Sequence, residues 1–189
     1  MNNLSVPHQY VHREHNLGDG AVVTHIHNFV TESDNLFTEL LNKIEWNQSL
    51  YKVNDDINVP IPRLMNVINF KSSNDKNLPL LKKIKKQIEK LADRKFTYAV
   101  LNYYRDGKDH VGFHSDREVN NGQIVVSVSL GAKRQFILKH KFRTGVKHTF
   151  TLRNGDVLIL NDAAIKTKYK HAILKEKRAG PRINITFRQ

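Results

Sequence analysis

His114 and Asp116 are the two side chains of this 189-residue chain whose types and spacing most readily suggest chemistry. They follow an Asp106-Gly107 turn, and residues two apart on an extended backbone point to the same side. An imidazole and a carboxylate side by side can hold a divalent metal, although a lone His-x-Asp also arises by chance. The pair therefore predicts a metal site only if the rest of the chain supplies further ligands.

A third ligand could come from His171, in the strand-like segment Tyr169–Ile173. Two histidines and one carboxylate form a facial triad that leaves three adjacent positions open on Fe(II), which suits oxygen activation with a chelating cosubstrate. Zinc held by three protein ligands and a water is the competing chemistry. Asp109 and His110 lie nearby in the sequence, but we place them at the turn and expect them to face solvent.

The chain ends in a strictly alternating segment at 182–188. One face of this strand carries two arginines, an amide and a hydroxyl, namely Arg182, Asn184, Thr186 and Arg188. A buried arginine is costly without an anionic partner, so an inward face predicts a ligand that carries a carboxylate. A solvent-facing strand would simply be polar. Asn102 and Tyr104 also share a strand face and could donate hydrogen bonds to the same ligand, although Tyr104 alone also fits a core position.

Two amphipathic helices and a series of short strands must position these residues. The apolar spacing predicts helices over Ser33–Trp46 and Leu78–Asp93, and from Phe96 onward eight short strands alternate with turns. The strands are too close together for crossover helices, which excludes a parallel α/β sheet. We therefore expect a mainly β, α+β fold, a β-sandwich or jelly roll (double-stranded β-helix) with two helices buttressing one face.

The N-terminal residues 1–20 are polar, and we interpret them as a loosely attached arm that precedes a single domain at 21–189. A weakly alternating segment at 21–29 contains His25 and His27. No carboxylate stands near this His-x-His pair in the sequence, and we interpret both as ordinary strand residues.

The amino-acid composition limits which classes of partner and which cellular compartments we expect. The formal net charge is +13 with a pI near 9.9, which favours nucleic acid first and an anionic membrane second; a lysine-rich solubilising surface is the alternative. There is no cysteine, no apolar run of membrane-spanning length and no signal-peptide pattern. We expect an intracellular protein of the cytoplasm or nucleus, a monomer that does not enter a membrane.

Three motifs together resemble the AlkB family of Fe(II)- and 2-oxoglutarate-dependent dioxygenases, in particular the homologues that repair alkylated DNA. They are Asn-x-Tyr-x-Asp-Gly-x-Asp-His-x-Gly-x-His-x-Asp from Asn102, Ser-Val-Ser-x-Gly-Ala-x-Arg ending at Arg134, and Pro-Arg-x-Asn-x-Thr-Phe-Arg ending at Arg188. The resemblance covers about residues 94–189 well. It implies oxidative removal of alkyl groups from base nitrogens in DNA, or in RNA, with Fe(II), 2-oxoglutarate and O2.

The resemblance also implies residue roles. Fe(II) would be bound by His114, Asp116 and His171, and 2-oxoglutarate by Arg182 with Asn102, Tyr104, Arg188 and the nearby Asn184. Glu118 matches a position that faces the flipped base, Arg134 matches an arginine near the substrate, and Arg63 belongs to a Pro-Arg that precedes the nucleotide-recognition lid.

The lid is where the sequence departs from the family. The segment at 64–71 is shorter than in relatives and lacks their aromatic residues, so only Phe70 could stack on a base; Phe70 could equally belong to a core strand. The same chemistry on an RNA mark, a protein or a small molecule stays open, as does a non-catalytic nucleic-acid-binding jelly roll.

Overall fold

A computed structural model describes residues 10–52, 54, 57–72, 77–116, 123–160 and 163–189. The helices are α1 (Ser33–Lys43), α2 (Pro79–Ala92) and α3 (Ala163–Lys168). The strands are β1 (His12–Gly18), β2 (Ala21–Ile26), β3 (Leu50–Lys52), β4 (Asn58–Pro60), β5 (Leu64–Asn69), β6 (Tyr98–Tyr104), β7 (Val111–His114), β8 (Val125–Gly131), β9 (Arg134–His140), β10 (Lys147–Leu152), β11 (Val157–Leu160), β12 (Tyr169–Ile173) and β13 (Arg182–Arg188).

Within the described residues, two antiparallel sheets face each other. The larger has the order β1-β2-β11-β8-β13-β6-β5, the smaller has the order β10-β9-β12-β7, and β3 and β4 form a separate hairpin. Sheet neighbours that are far apart in sequence, such as β13 between β6 and β8, are typical of the jelly roll. The predicted fold class, mainly antiparallel β with buttressing helices, is confirmed.

The alternation along β13 and β6 divides the interior into two layers. Ile183, Ile185 and Phe187 point to the outer face of the large sheet, where they pack with α1 and α2. The polar residues of the same strands point the other way, between the two sheets. Because side chains alternate with period two, one register assigns every residue of β13 to one of these layers.

The helices close the outer layer as their apolar spacing predicts. Leu36 and Leu40 of α1 and the stripe Leu81, Ile84, Ile88 of α2 are almost completely buried. Burial of each such side chain stabilises the fold by about 1.5–3 kcal/mol. The two helices are also joined by Glu39, whose carboxylate accepts hydrogen bonds from the first backbone N–H groups of α2, those of Leu80 (3.3 Å) and Leu81 (3.1 Å).

The N-terminal prediction is wrong for residues 12–18. They form β1, which pairs with β2 from His12↔Ile26 to Gly18↔Ala21 at the edge of the large sheet. Most side chains of β1 are exposed, so backbone hydrogen bonds hold the strand, and the sequence carries no apolar signal for it. Residues 1–9 lie outside the described part of the chain.

The hairpin β3–β4 and the short helix α3 were not predicted, because neither has a periodic apolar face in the sequence. No helix in the described ranges is long and apolar enough to cross a membrane.

Candidate active site

A cavity of about 670 Å³ lies between the two sheets. The large sheet contributes the inner faces of β5, β6, β8, β11 and β13, and the small sheet contributes β7, β9 and β12. The polar face of β13 therefore points inward, which decides between the two interpretations that the sequence left open. A cavity of this volume has room for a small dicarboxylate and part of a second molecule.

His114, Asp116 and His171 meet on the small-sheet side of this cavity. In the β7–β12 register His171 is paired with His114, and Asp116 follows β7 directly. The Asp116 Oδ1 atom lies 3.7 Å from His114 Nε2 and 3.8 Å from His171 Nε2. Metal–ligand bonds of about 2.0–2.2 Å separate neighbouring ligand atoms by just over 3 Å, so the three atoms can converge on one ion after small side-chain movements.

Neighbouring groups orient each member of the triad. The His114 Nδ1 atom lies 2.9 Å from the carbonyl of Gly112; as the protonated donor it leaves Nε2 as the metal ligand. Arg188 donates a hydrogen bond of 3.0 Å to Asp116 Oδ2, the oxygen turned away from the histidines. The ring of His171 stacks on Phe136 at 5.4 Å, and burial lowers the pKa of His171 to about 4, so its imidazole is neutral near pH 7.

Arg182 supplies the strongest electrostatic feature of the cavity. It is 1% exposed, and its Nη2 atom donates a hydrogen bond of 2.9 Å to the hydroxyl of Ser129. Its Nε and Nη1 atoms are buried without a hydrogen-bond partner among the described residues. Burial lowers the pKa of Arg182 to about 10, which still leaves it charged near pH 7. A buried guanidinium with two unused donors requires an anion, and a carboxylate matches its geometry.

The sequence matches the 2OG-Fe(II) oxygenase superfamily over residues 22–188. The chain belongs to this superfamily. The superfamily uses Fe(II), 2-oxoglutarate and O2, and the triad and Arg182 fit a metal ion and a dicarboxylate respectively. The match confirms the predicted family and its cofactors. The role predicted for each site residue stays a prediction.

The relatives place this oxygenase in the AlkB family. It is 41% identical over 114 residues to an uncharacterized protein of Acanthamoeba polyphaga mimivirus, covering 59% of each chain. It is 32% identical over 122 residues to the DNA oxidative demethylase ALKBH2 of Bos taurus (59% of this chain, 44% of that protein). It is 30% identical over 177 residues to the alpha-ketoglutarate-dependent dioxygenase alkB homolog 3 of Mus musculus (83% and 61%).

The chain spans about half to three fifths of the length of these curated relatives. The solved structure of OsALKBH1 superimposes with a TM-score of 0.56 at 15% identity, covering 88% of this chain and 97% of that one. At this identity the likeness supports the fold alone.

The remaining predicted cosubstrate residues all line the cavity of this AlkB-type oxygenase. Tyr104 is 3% exposed; burial raises its pKa, so the phenol stays protonated and can donate. Asn102 accepts a hydrogen bond of 2.7 Å from Arg63 Nε, which links the predicted cosubstrate side to the predicted substrate side. The amide of Asn184 is already engaged, since Nδ2 donates to Ser127 Oγ and to the carbonyl of Val128.

Two predicted substrate contacts lie elsewhere. Phe70 stacks on Phe187 at 6.1 Å, on the helix side of the large sheet, so the core-strand interpretation of Phe70 is correct. Arg134 is fully buried and donates to the backbone carbonyls of Asp109 and Leu174, and it does not line the cavity. Phe70 and Arg134 stand at positions that resemble substrate contacts in the sequence. In this structure, packing accounts for Phe70 and hydrogen bonds to backbone carbonyls account for Arg134. Glu118 lies outside the described residues.

The prediction that Asp109 faces solvent is also wrong. Asp109 is 4% exposed, and its carboxylate accepts hydrogen bonds from the backbone N–H, Nε and Nη2 of Arg105. Together with Arg134, this ion pair holds the turn that leads into β7. Asp109 thus supports the position of the predicted metal ligands without touching them.

The β3–β4 hairpin is a candidate substrate element that sequence reasoning missed. It is attached near the edge strand β5 of the large sheet, where Asn47 bridges to Met65, a residue that lines the cavity, and the N–H of Ile61 donates to the carbonyl of Ser49. Its apolar residues are exposed, above all Tyr51 (65%) and Leu50 (60%). The available signal was apolar and aromatic residues in a polar loop directly before the Pro62-Arg63 motif.

Proposed function

We propose that this oxygenase oxidatively demethylates N-alkylated bases in DNA, such as 1-methyladenine and 3-methylcytosine, and releases formaldehyde, succinate and CO2. The observation that carries the proposal is the pairing of the His114–Asp116–His171 triad with the buried, incompletely bonded Arg182 across one cavity. A metal ion and a carboxylate are therefore expected within the same space. The nucleic-acid substrate is supported by the name of the ALKBH2 relative, a DNA oxidative demethylase.

The chain's own groups divide between binding and positioning. Arg182 pairs with the distal carboxylate of 2-oxoglutarate through Nε and Nη1, the donors without a partner among the described residues, and the Tyr104 hydroxyl donates to the same ligand. Arg188 holds Asp116 in the orientation that leaves Oδ1 toward the histidines. Fe(II) bound by the triad, with 2-oxoglutarate and O2, supplies the oxidation of the alkyl carbon. The hydroxylated group then leaves the base nitrogen as an aldehyde.

The side of the cavity that we assign to the substrate is lined by Met65 and Val67 of β5, the strand beside which the β3–β4 hairpin is attached. Arg63 lies at this side, bonded to Asn102, and can contact a phosphate or base edge. A base inside a duplex cannot reach the triad, so the target base must leave the stack. An alkylated base that cannot pair is cheaper to extrude, and Tyr51 of the hairpin offers a ring on which a base can stack.

RNA is the second candidate substrate. The segment that follows Arg63 is almost without aromatics, and its described residues form strand β5 of the large sheet, with Phe70 directly after it. Among the described residues, the surface that we propose to contact a base is therefore limited to the short β3–β4 hairpin and the residues at the mouth of the cavity. Such a surface favours single strands, whose bases are already accessible in both DNA and RNA.

Turnover on defined oligonucleotides tests the proposal. The protein is incubated with Fe(II), 2-oxoglutarate, ascorbate and single- or double-stranded DNA and RNA that carry 1-methyladenine or 3-methylcytosine. We expect a mass loss of one methyl group, with succinate formed in step. Succinate formation without demethylation of any oligonucleotide would point to another substrate. Salt-sensitive oligonucleotide binding with no iron-dependent turnover would point to the non-catalytic module.

A further inference from the structure

A second group of metal-ligating side chains lies at the end of β2, away from the triad. His25 Nε2 is 3.0 Å from Asp156 Oδ2, and His27 Nδ1 is 3.6 Å from the same oxygen. The two imidazole rings are 4.1 Å apart. The interpretation of His25 and His27 as residues without a nearby carboxylate is therefore corrected, because the fold brings Asp156 to them from the start of β11.

The carboxylate in this group is held rigidly by the backbone. Asp156 is 2% exposed; its Oδ1 accepts from the N–H of Asn28 at 2.9 Å, and its Oδ2 accepts from the N–H of Arg153 at 3.0 Å. Asn28 has a φ of +47° and Gly155 a φ of +80°. A Cβ at Gly155 would lie 2.8 Å from the carbonyl oxygen of Val30, so the two loops are in close contact and leave Asp156 little freedom.

We propose that His25, His27 and Asp156 form a second divalent metal site, suited to Zn²⁺. The 3.0 and 3.6 Å separations lie close to the spacing of about 3.3–3.6 Å expected between ligand atoms around a tetrahedral ion with bonds of 2.0–2.2 Å. They are shorter than the corresponding 3.7 and 3.8 Å of the iron triad. The His27 side chain is 31% exposed, which gives an ion and a water access to an otherwise buried group.

The surroundings of His27 and Asp156 favour the protonation states that bind metal near neutral pH. Burial lowers the pKa of His27, and the neighbouring His25 lowers it further, so its imidazole is neutral. Burial raises the pKa of Asp156, but hydrogen bonds from His25, Arg153 and Asn28 outweigh burial, and the net shift is downward. A neutral imidazole and an ionised carboxylate are the forms that bind metal. Arg153 lies within electrostatic reach of His27 and opposes the ion's charge in part.

This site differs from the iron site in place and in role. Asp156 directly precedes β11, whereas Leu160 at the other end of the same strand lines the cavity. An ion there would join the end of β2 to the turn at 153–156 and contact no reacting group. We therefore expect it to stabilise the edge of the large sheet without taking part in turnover.

Metal stoichiometry of paired variants tests the site. The chelator-treated protein is titrated with Zn²⁺, and bound metal is measured after gel filtration. Wild type should retain two equivalents, His27→Ala one, His114→Ala one and the double variant none. His27 is chosen because it is partly exposed, while removal of the buried His25 could unfold the chain. His12→Ala, which removes an exposed histidine from the adjacent strand, is the matched control and should retain two.

Thermal unfolding provides a second, independent measurement. In the His114→Ala background, Zn²⁺ at about 100 times its Kd should raise Tm on the order of 5 °C, and His27→Ala should remove this rise. The His27→Ala single variant should keep the turnover of wild type. Loss of all zinc binding in His114→Ala, or an unchanged second equivalent in the His27→Ala variants, would show that the group is only a hydrogen-bonded structural cluster.

Discussion

At the scale of single residues, Arg182 determines what the cavity can bind. It is placed by the β13 register, in which Arg182 lies opposite Tyr104 on β6 and Gly131 on β8. Its guanidinium carbon lies 5.4 Å from the centre of the Tyr104 ring, and among the described residues only its Nη2 atom has a hydrogen-bond partner, the hydroxyl of Ser129. The side chain is fixed and charged before any ligand arrives, so a carboxylate meets a preorganised partner.

Arg182→Lys should raise the KM for 2-oxoglutarate about 10- to 100-fold, because an ammonium cannot replace a two-donor contact worth about 1.5–3 kcal/mol. The KM for the alkylated oligonucleotide should change little. Steady-state kinetics with each substrate varied in turn measures both. Arg178→Lys, in an exposed loop, is the control and should match wild type. Equal increases in both KM values would argue against a specific cosubstrate contact.

His114→Ala should abolish turnover and leave the fold intact. The side chain is about 40% exposed and belongs to neither hydrophobic cluster, so its removal leaves no apolar cavity. Circular dichroism and Tm in the absence of metal should match wild type, while succinate formation falls to background. Activity retained in this variant would exclude the triad as the iron site.

Asp109→Asn should destabilise the protein by about 1.5–3 kcal/mol near pH 7, because the buried Asp109 carboxylate loses its charge-assisted hydrogen bonds from the partly exposed Arg105. Burial raises the pKa of Asp109, but the hydrogen bonds from Arg105 dominate and the net shift is downward. A carboxyl whose pKa is lower in the folded state stabilises above its unfolded pKa of about 3.9, and this contribution is lost as pH falls through the folded value. Denaturant unfolding between pH 7 and 3 should show the difference between wild type and variant shrinking only below about pH 4.

At the scale of elements, the sequence predicts well wherever an apolar period exists. The stripe Leu81, Ile84, Ile88 predicts α2 to within a residue at each end, and the alternation at 182–188 predicts β13. The sequence could not predict β1, because its mostly exposed residues show no apolar periodicity. This strand forms only by pairing with β2. Nor could the sequence separate Phe70 and Arg134, which pack as structural residues, from substrate contacts, because the same residue types serve both purposes.

The convergence of His114, Asp116 and His171 could be predicted because its two parts are local signals. His114 and Asp116 share one segment, and His171 stands in a strand of its own, so a resemblance to known motifs was enough to join them. The group of His25, His27 and Asp156 has no such motif. Its carboxylate lies on a distant strand, and only the β2–β11 register, with Val157 opposite Ile26, brings it to the histidines.

The β3–β4 hairpin should act as a binding element for the nucleic acid. Tyr51→Ala should raise the KM for a methylated oligonucleotide about 5- to 100-fold, since stacking of a base on an aromatic ring contributes about 1–3 kcal/mol. Tyr51→Phe keeps the ring and should retain wild-type values. Both variants should leave the KM for 2-oxoglutarate unchanged. An identical effect of the two substitutions would show that the hydroxyl matters and stacking does not.

At the scale of the whole molecule, charge is divided between two functions. The net charge of +13 comes mostly from surface lysine and arginine, whereas Arg182 is screened from solvent inside the sandwich. A surface cation attracts phosphates over a distance that salt limits, while a buried cation acts only on a ligand in contact with it. The two binding steps should therefore respond differently to ionic strength.

Oligonucleotide affinity should fall steeply with salt, while 2-oxoglutarate affinity should not. If three phosphates are neutralised on a single strand, raising monovalent salt from 50 to 200 mM weakens binding about 20-fold, and the slope of log affinity against log salt gives the number of contacts. Fluorescence anisotropy with an unmethylated oligonucleotide should give the same slope as a methylated one, because phosphate contacts do not read the base. Calorimetric titration of 2-oxoglutarate over the same salt range is the internal control. Salt-independent oligonucleotide binding would mean that the basic surface only keeps the protein soluble, and the nucleic-acid substrate would then lose its electrostatic support.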